Sequence, residues 1–142
     1  MSEKFIRRVD QATVYYLPAA RREALAAAAK KARLHTALLE IPRNMKSGEL
    51  LERLGKALHF PDWYGANFDA LHDCLTDPDC LPAKGIVLFV DGSANLRDSD
   101  PNGLSTLIEV FTAAAIELHR SGTPLWVLFD SETGGLSELP LA

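Results

Sequence analysis

Residues 60–79 read FPDWYGANFDALHDCLTDPD, an aromatic turn followed by one short helix. Pro61 breaks whatever precedes it, and Gly65 admits the turn. Asn67 fits the N-cap, where its side-chain oxygen can accept from an unpaired backbone N–H of the first turn. Phe68, Leu71 and Leu75, with Cys74 beside them, fall at helical spacing and are expected to face a core. Asp69, His72, Asp73 and Thr76 fall at i, i+3, i+4 and i+7 and share the opposite stripe. The stretch holds five aspartates (Asp62, Asp69, Asp73, Asp77 and Asp79) and no Lys or Arg. The helix dipole favours Asp69 but does little for Asp73 one turn on, and like charges at i, i+4 slightly destabilise a helix. Local stability does not account for the pair. A cationic partner does.

Upstream of this stretch, residues 47–58 form an amphipathic helix, with Ser47 as its expected cap and Leu50, Leu51, Leu54, Ala57 and Leu58 as its buried stripe. Residues 34–41 (LHTALLEI) read as a strand closed by Pro42, and residues 12–17 (ATVYYL) as a short strand ending at Pro18. Between those strands, residues 19–33 predict an Ala-rich helix whose apolar face is thin, mostly alanines and Leu25, so a peripheral position is expected.

Downstream, residues 80–85 are a loop containing Pro82. Residues 85–91 (GIVLFVD) and 124–130 (PLWVLFD) are continuous apolar runs, the pattern of strands buried on both faces. Residues 92–99 read as a polar connection. Asp100-Pro101 then opens a helix carrying Leu104, Leu107, Ile108, Phe111, Ala115 and Leu118, which stops near Ser121-Gly122. Residues 131–142 have little periodicity and read as a flexible tail. The order β-α-β-α-α-β-α-β predicts an α/β sandwich with a small, mainly parallel sheet, right-handed crossovers and flanking helices.

The chain has 142 residues, enough for one domain with extensions and a proper core. Its 47% hydrophobic and 24% charged content is ordinary for a soluble globular protein. No apolar run approaches a membrane span and MSEKFIRRVD lacks an apolar leader core, so a cytoplasmic location is the expectation. Two cysteines, Cys74 and Cys80, read there as free thiols. The net charge of −4 is unevenly spread. Residues 1–33 carry eight basic and three acidic side chains, a local +5, while residues 60–80 carry −5. Such polarity can steer an oppositely charged partner toward one face.

Asp69, Asp73 and His72 could bind a divalent metal or do acid–base work, and a metal-dependent enzyme is one reading of them. Against it, they lie on one exposed helix face with no further ligand at a motif spacing, and no cofactor or metal is expected. No G-x-S-x-G, Walker or G-x-G-x-x-G spacing occurs. Cys74 sits beside the apolar stripe and reads as a small buried hydrophobe. His35, His59 and His119 are isolated in the sequence. The acidic stretch would repel phosphate, and the basic first third lacks aromatic interleaving beyond Tyr15 and Tyr16, so no direct nucleic-acid partner is expected. One of Trp63 and Tyr64 is expected to pack behind the turn, and an exposed ring there makes an interface anchor. Carboxylates beside an aromatic platform imitate RNA. That points to a protein partner with a basic, nucleic-acid-binding cleft.

FPDWYGANFDALHDCLT is similar to the signature of the barstar family, intracellular inhibitors of the ribonuclease barnase, in which the pattern P-x-[YW]-Y-G-x-N-x-D-A-L-x-D-C-L-T occurs. More loosely, the resemblance covers about residues 38–130, including the helix opened by Asn102-Gly103. It implies a barstar-like sandwich with three sheet strands, to which residues 1–33 add a further strand and helix. It also implies a non-enzymatic ribonuclease inhibitor or immunity protein that plugs an active site with its acidic helix and the preceding turn; the sequence leaves the oligomeric state open, with a monomer favoured. By position, Trp63 and Tyr64 hold the aromatic places, Asn67 the cap, and Asp69 and Asp73 the inhibitory carboxylates. Asp73 would occupy the enzyme's phosphate site, and Thr76 would sit at the rim. His72 stands where the best-known member has tryptophan. Ala113 replaces a glutamate that helps bind the enzyme, a charge that Glu117, or Glu109, could supply. The expected partner is a basic ribonuclease of extracellular or toxin type. An interaction module of the same fold with another basic partner is the alternative.

Overall fold

The computed structural model of the chain describes residues 3–81 and 84–140. Pro82, read as part of a loop, and residues 141–142 of the tail lie outside them. The elements run α1 (Glu3–Ile6), a 3-10 turn (Val9–Gln11), β1 (Val14–Tyr16), a second 3-10 turn (Ala19–Arg21) and α2 (Arg22–Lys31). They continue with β2 (His35–Glu40), α3 (Ser47–Ala57), α4 (Phe68–Thr76), β3 (Ile86–Asp91), α5 (Ser93–Ser99), α6 (Pro101–His119) and β4 (Leu125–Phe129). The strands form one sheet in the order β1-β4-β3-β2, with every pairing parallel. The α/β architecture is as expected, and β1 of the N-terminal extension joins the sheet beside β4.

The apolar runs of β3 and β4 are buried because both faces of the sheet are covered. Ile86, Leu88, Val90, Leu125, Val127 and Phe129 point into a core shared with α3, α4, α5 and α6. Val87, Phe89, Trp126 and Leu128 point the other way, into a second core closed by Ile6, Leu17, Leu25, Ala28 and Ala29. The period-2 alternation of a strand thus serves two layers at once. The peripheral position expected for α2 is therefore corrected: its alanines let the helix approach the sheet closely and seal one face. Trp126 is fully buried there, and its Nε1–H donates to the Ile6 carbonyl at 2.8 Å. The rings of Phe5 and Tyr15 lie 5.5 and 6.0 Å from it.

Three further expectations are corrected. The polar connection at 92–99 is α5, whose cap and first N–H groups bond a residue just past the end of β4. The Asp130 carboxylate accepts from Gly92 N (2.8 Å), Ser93 N (3.1 Å) and Ser93 Oγ (2.7 Å). Burial pushes this carboxyl up, but those donors together outweigh it and hold the group below its ordinary value. Second, Ser47 does not cap α3. Lys46 holds the cap position without a side-chain bond, and the Ser47 N–H donates to Asp100 Oδ2 at 3.2 Å. Third, the described part of the tail is docked. Tyr16 N donates to Ser137 O, Leu139 is buried, and the Arg21 guanidinium donates to the Leu139 and Pro140 carbonyls.

Asp100 caps two helices, since its Oδ1 also accepts from Gly103 N at 3.0 Å in the first turn of α6. A Cβ at Gly103 would stand 2.6 Å from Asp100 Oδ2, so the cap needs glycine at that place. The Gly103 N–H, aided by Ser47, holds the Asp100 carboxyl below its ordinary value. A depressed carboxyl stabilises the fold above its unfolded pKa of about 4, and that contribution fades as pH falls toward the folded value. Asp100→Ala is expected to cost about 1–2 kcal/mol near neutral pH. Asp100→Asn keeps an acceptor and is expected to cost less, with a flatter acid limb. Thermal melts from pH 7 to pH 3 check both.

Candidate partner-binding surface

The turn before α4 is built from the end of α3. After Leu58 the chain enters a left-handed residue, His59 (φ 55°), and Phe60 N donates back to Gly55 O at 2.9 Å. Pro61 then redirects the backbone, and Tyr64 N closes a turn on Pro61 O at 3.0 Å. Tyr64 folds inward. Its ring lies on Gly55, where a Cβ would meet Tyr64 Cε2 at 2.6 Å, and its hydroxyl donates to Leu51 O at 2.9 Å. Phe60 packs edge-on at 4.9 Å. Burial pushes the Tyr64 phenol up to about 12, so it remains a donor at neutral pH. Trp63 turns outward and is 61% exposed. Of the two rings expected to divide between core and surface, Tyr64 is the support and Trp63 the platform.

Gly65 lies in the turn as expected, and the left-handed step is taken by the next residue, Ala66, at φ 51°. Asn67 follows in an extended conformation and caps α4, its Oδ1 accepting from Ala70 N at 2.7 Å. With the helix start so held, Leu71, Cys74 and Leu75 are buried, while Phe68 packs at the margin of the core. Burial, above all, pushes the Cys74 thiol up to about 12, which leaves it a packed thiol and a poor nucleophile.

On the other stripe, Asp69 is exposed in the first turn, and the Asp73 side chain is 75% exposed. Among the described residues no Lys or Arg forms an ion pair with Asp62, Asp69, Asp73, Asp77 or Asp79. The His72 imidazole stands beside Asp73, its Nδ1 at 4.0 Å from Asp73 Oδ1. His72 reaches the other way to α6, its Nε2 standing 3.1 Å from Glu117 Oε2. His72 and Glu117, read separately from the sequence, are therefore one contact that ties α4 to α6. Thr76 turns its hydroxyl back along the helix and donates to His72 O at 2.8 Å.

Beside Glu117, Glu109 and Ala113 are also exposed on α6, and Ile116 is 57% exposed among them. The sequence reading passed over Ile116. Its offset of three from Ala113, outside the stripe of Leu104, Leu107, Phe111, Ala115 and Leu118, was the available signal.

The surface is thus a helix face with two carboxylates that no Lys or Arg pairs with among the described residues, an exposed indole on the turn before it and a shorter flank on α6. Fixed carboxylates of this kind can accept charge-assisted hydrogen bonds from guanidinium and ammonium groups. Among the described residues no group of three or more His, Cys, Asp and Glu side chains lies close enough to hold a metal ion, and no helix is long and apolar enough to cross a membrane.

A comparison with curated proteins gives no match. A comparison with family models does: residues 34–130 match the family described as Barstar (barnase inhibitor). That span starts at the threshold of β2, ends just after β4 and contains α4 with its aromatic turn. Covering well over half of the sequence, the match makes this chain a member of the barstar family.

Proposed function

We propose that the protein is a ribonuclease inhibitor that seats α4 and the turn before it in the basic active-site cleft of its target. The observation that carries this reading is the exposure of Asp69 and Asp73, with no Lys or Arg paired to either among the described residues, on a helix whose start is fixed by Asn67. Asp73 takes the place of a substrate phosphate, Asp69 binds a second cation, and Trp63 offers its ring where a base would stack. Tyr64 and Asn67 hold these groups in place. His72 and Glu117 extend the contact to α6, and Thr76 lies at the rim. The protein performs no chemistry of its own and takes no cofactor. Its target is a basic ribonuclease of extracellular or toxin type, and its place as an immunity protein is the cytoplasm, acting as a monomer.

The test is titration of the protein into such a ribonuclease with RNA cleavage as the readout. Inhibition complete at one equivalent supports the reading, and undiminished cleavage across a panel of basic ribonucleases rejects it. Steering makes a second prediction. With −5 on residues 60–80 facing a basic cleft, the association rate is expected to fall at least about tenfold between 20 and 500 mM salt while dissociation changes little. Stopped-flow rates that stay flat would argue against it.

One observation favours a different basic partner for the same fold. Ala113 carries no charge and Glu117 is engaged by His72, so α6 presents little free negative charge beyond Glu109. Failure of the inhibition titration together with salt-sensitive binding to a basic protein that is not a nuclease would establish that alternative.

A further inference from the structure

We propose that His35 and His59, to which the inhibitor reading gives no contact of their own, form a two-imidazole site for a late first-row divalent transition ion such as Zn2+. The two residues are 24 positions apart, but the fold brings them together. His35 opens the edge strand β2, where its N–H donates to Gly85 O at 3.1 Å, so its backbone is held by the sheet. Alternation along β2 places its side chain on the same face as Ala37 and Leu39, the face covered by α3. His59 stands just past the end of α3, in the left-handed conformation (φ 55°) that usually belongs to glycine or asparagine there. Its N–H donates to Lys56 O at 3.2 Å, and Phe60 N to Gly55 O at 2.9 Å, so this backbone too is pinned.

The two rings meet edge to face with centroids 6.5 Å apart, and both residues are exposed. Imidazole nitrogens bind zinc at about 2.0–2.1 Å, which sets two rings on one tetrahedral ion with centroids about 5 Å apart. Coordination therefore draws the two rings closer together than they stand, through rotation of two exposed side chains. Imidazole suits zinc, copper and nickel and disfavours hard cations such as Mg2+. The remaining coordination positions face solvent and are filled by water. Glu52, in the groove that His59 lines, offsets the charge of neighbouring Lys56. A bound ion joins the start of β2 to the end of α3, and a ligand held only by the folded chain stabilises it.

Calorimetric titration of the full chain with Zn2+, with Mg2+ as control, tests this alongside thermal melts. His35→Gln and His59→Asn are suitable variants, because both positions are exposed and asparagine tolerates the left-handed backbone. One equivalent of Zn2+ is expected to bind the parent and raise its melting temperature, with no response to Mg2+. Each variant is expected to bind Zn2+ at least about tenfold more weakly and to lose the thermal shift, since a single surface imidazole remains. Failure of the parent to bind would overturn the proposal, as would binding and a thermal shift that survive in both variants.

Discussion

Asp73→Ala is expected to weaken binding to the target ribonuclease by at least about 2 kcal/mol, roughly thirtyfold in Kd. Truncation removes a charged acceptor and also leaves the enzyme's cations buried against a surface with nothing to meet them, which accounts for much of such losses. The fold should not suffer. The Asp73 side chain is 75% exposed, and among the described residues no Lys or Arg pairs with it; the His72 Nδ1 stands 4.0 Å away. Removing it also relieves the like-charge contact with Asp69 one turn earlier. The expected signature is therefore a large loss of inhibition with an unchanged or slightly raised melting temperature. Inhibition constants and melts on the same preparation check this, and a variant as potent as the parent would sink the role given to Asp73.

The largest expected effect on stability lies far from that surface. Trp126→Ala is expected to cost about 3–5 kcal/mol, the usual range for emptying a large aromatic site in a core. A domain of this kind has only about 5–15 kcal/mol to lose. Trp126 is fully buried under α1 and α2, among Ile6, Leu17 and Leu25, with β1 beside its strand in the sheet. Its loss opens a cavity and leaves the Ile6 carbonyl without the donor it has at 2.8 Å. Trp126→Phe refills most of the volume but not the hydrogen bond, so it is expected to cost about 1–3 kcal/mol. Urea unfolding followed by circular dichroism measures both. Hydrogen exchange adds the location: protection should fall first in residues 3–34, whose layer is held to the sheet through this side chain. Equal loss across the whole chain would contradict that assignment.

These two residues mark how differently the sequence exposes its parts. The acidic face was legible because everything that makes it is local. Asn67 is three residues from the N–H that it caps, and the helical repeat separates Leu71, Cys74 and Leu75 from Asp69 and Asp73 without reference to any other segment. The buried strands were legible for a related reason. GIVLFVD and PLWVLFD have no polar alternate position, so both faces had to be covered. The barstar family was likewise within reach from one contiguous stretch, and the match over residues 34–130 agrees.

Elements whose determinants come from elsewhere in the chain were misread. The helix α5 has Gly92 at its cap position and no local side-chain cap; Asp130, 37 residues from Ser93, supplies the acceptors. The first turn of α3 takes its acceptor from Asp100, 53 residues from Ser47. The alanines of α2 gave a weak amphipathic signal, because small residues matter through how near they let two layers come. Residues 131–140 lack any period, yet Leu139 is buried and Glu138 bridges Tyr16.

Sequence alone determined the class of the fold, the register of the acidic helix and the identity of its exposed carboxylates, since periodicity and capping act over one or two turns. Only the tertiary structure decided which ring of the Trp63-Tyr64 pair faces solvent, that His72 joins Glu117, and that His35 meets His59. Those outcomes depend on how helices seat on the sheet. Contacts between segments far apart along the chain are set by packing that no local pattern encodes.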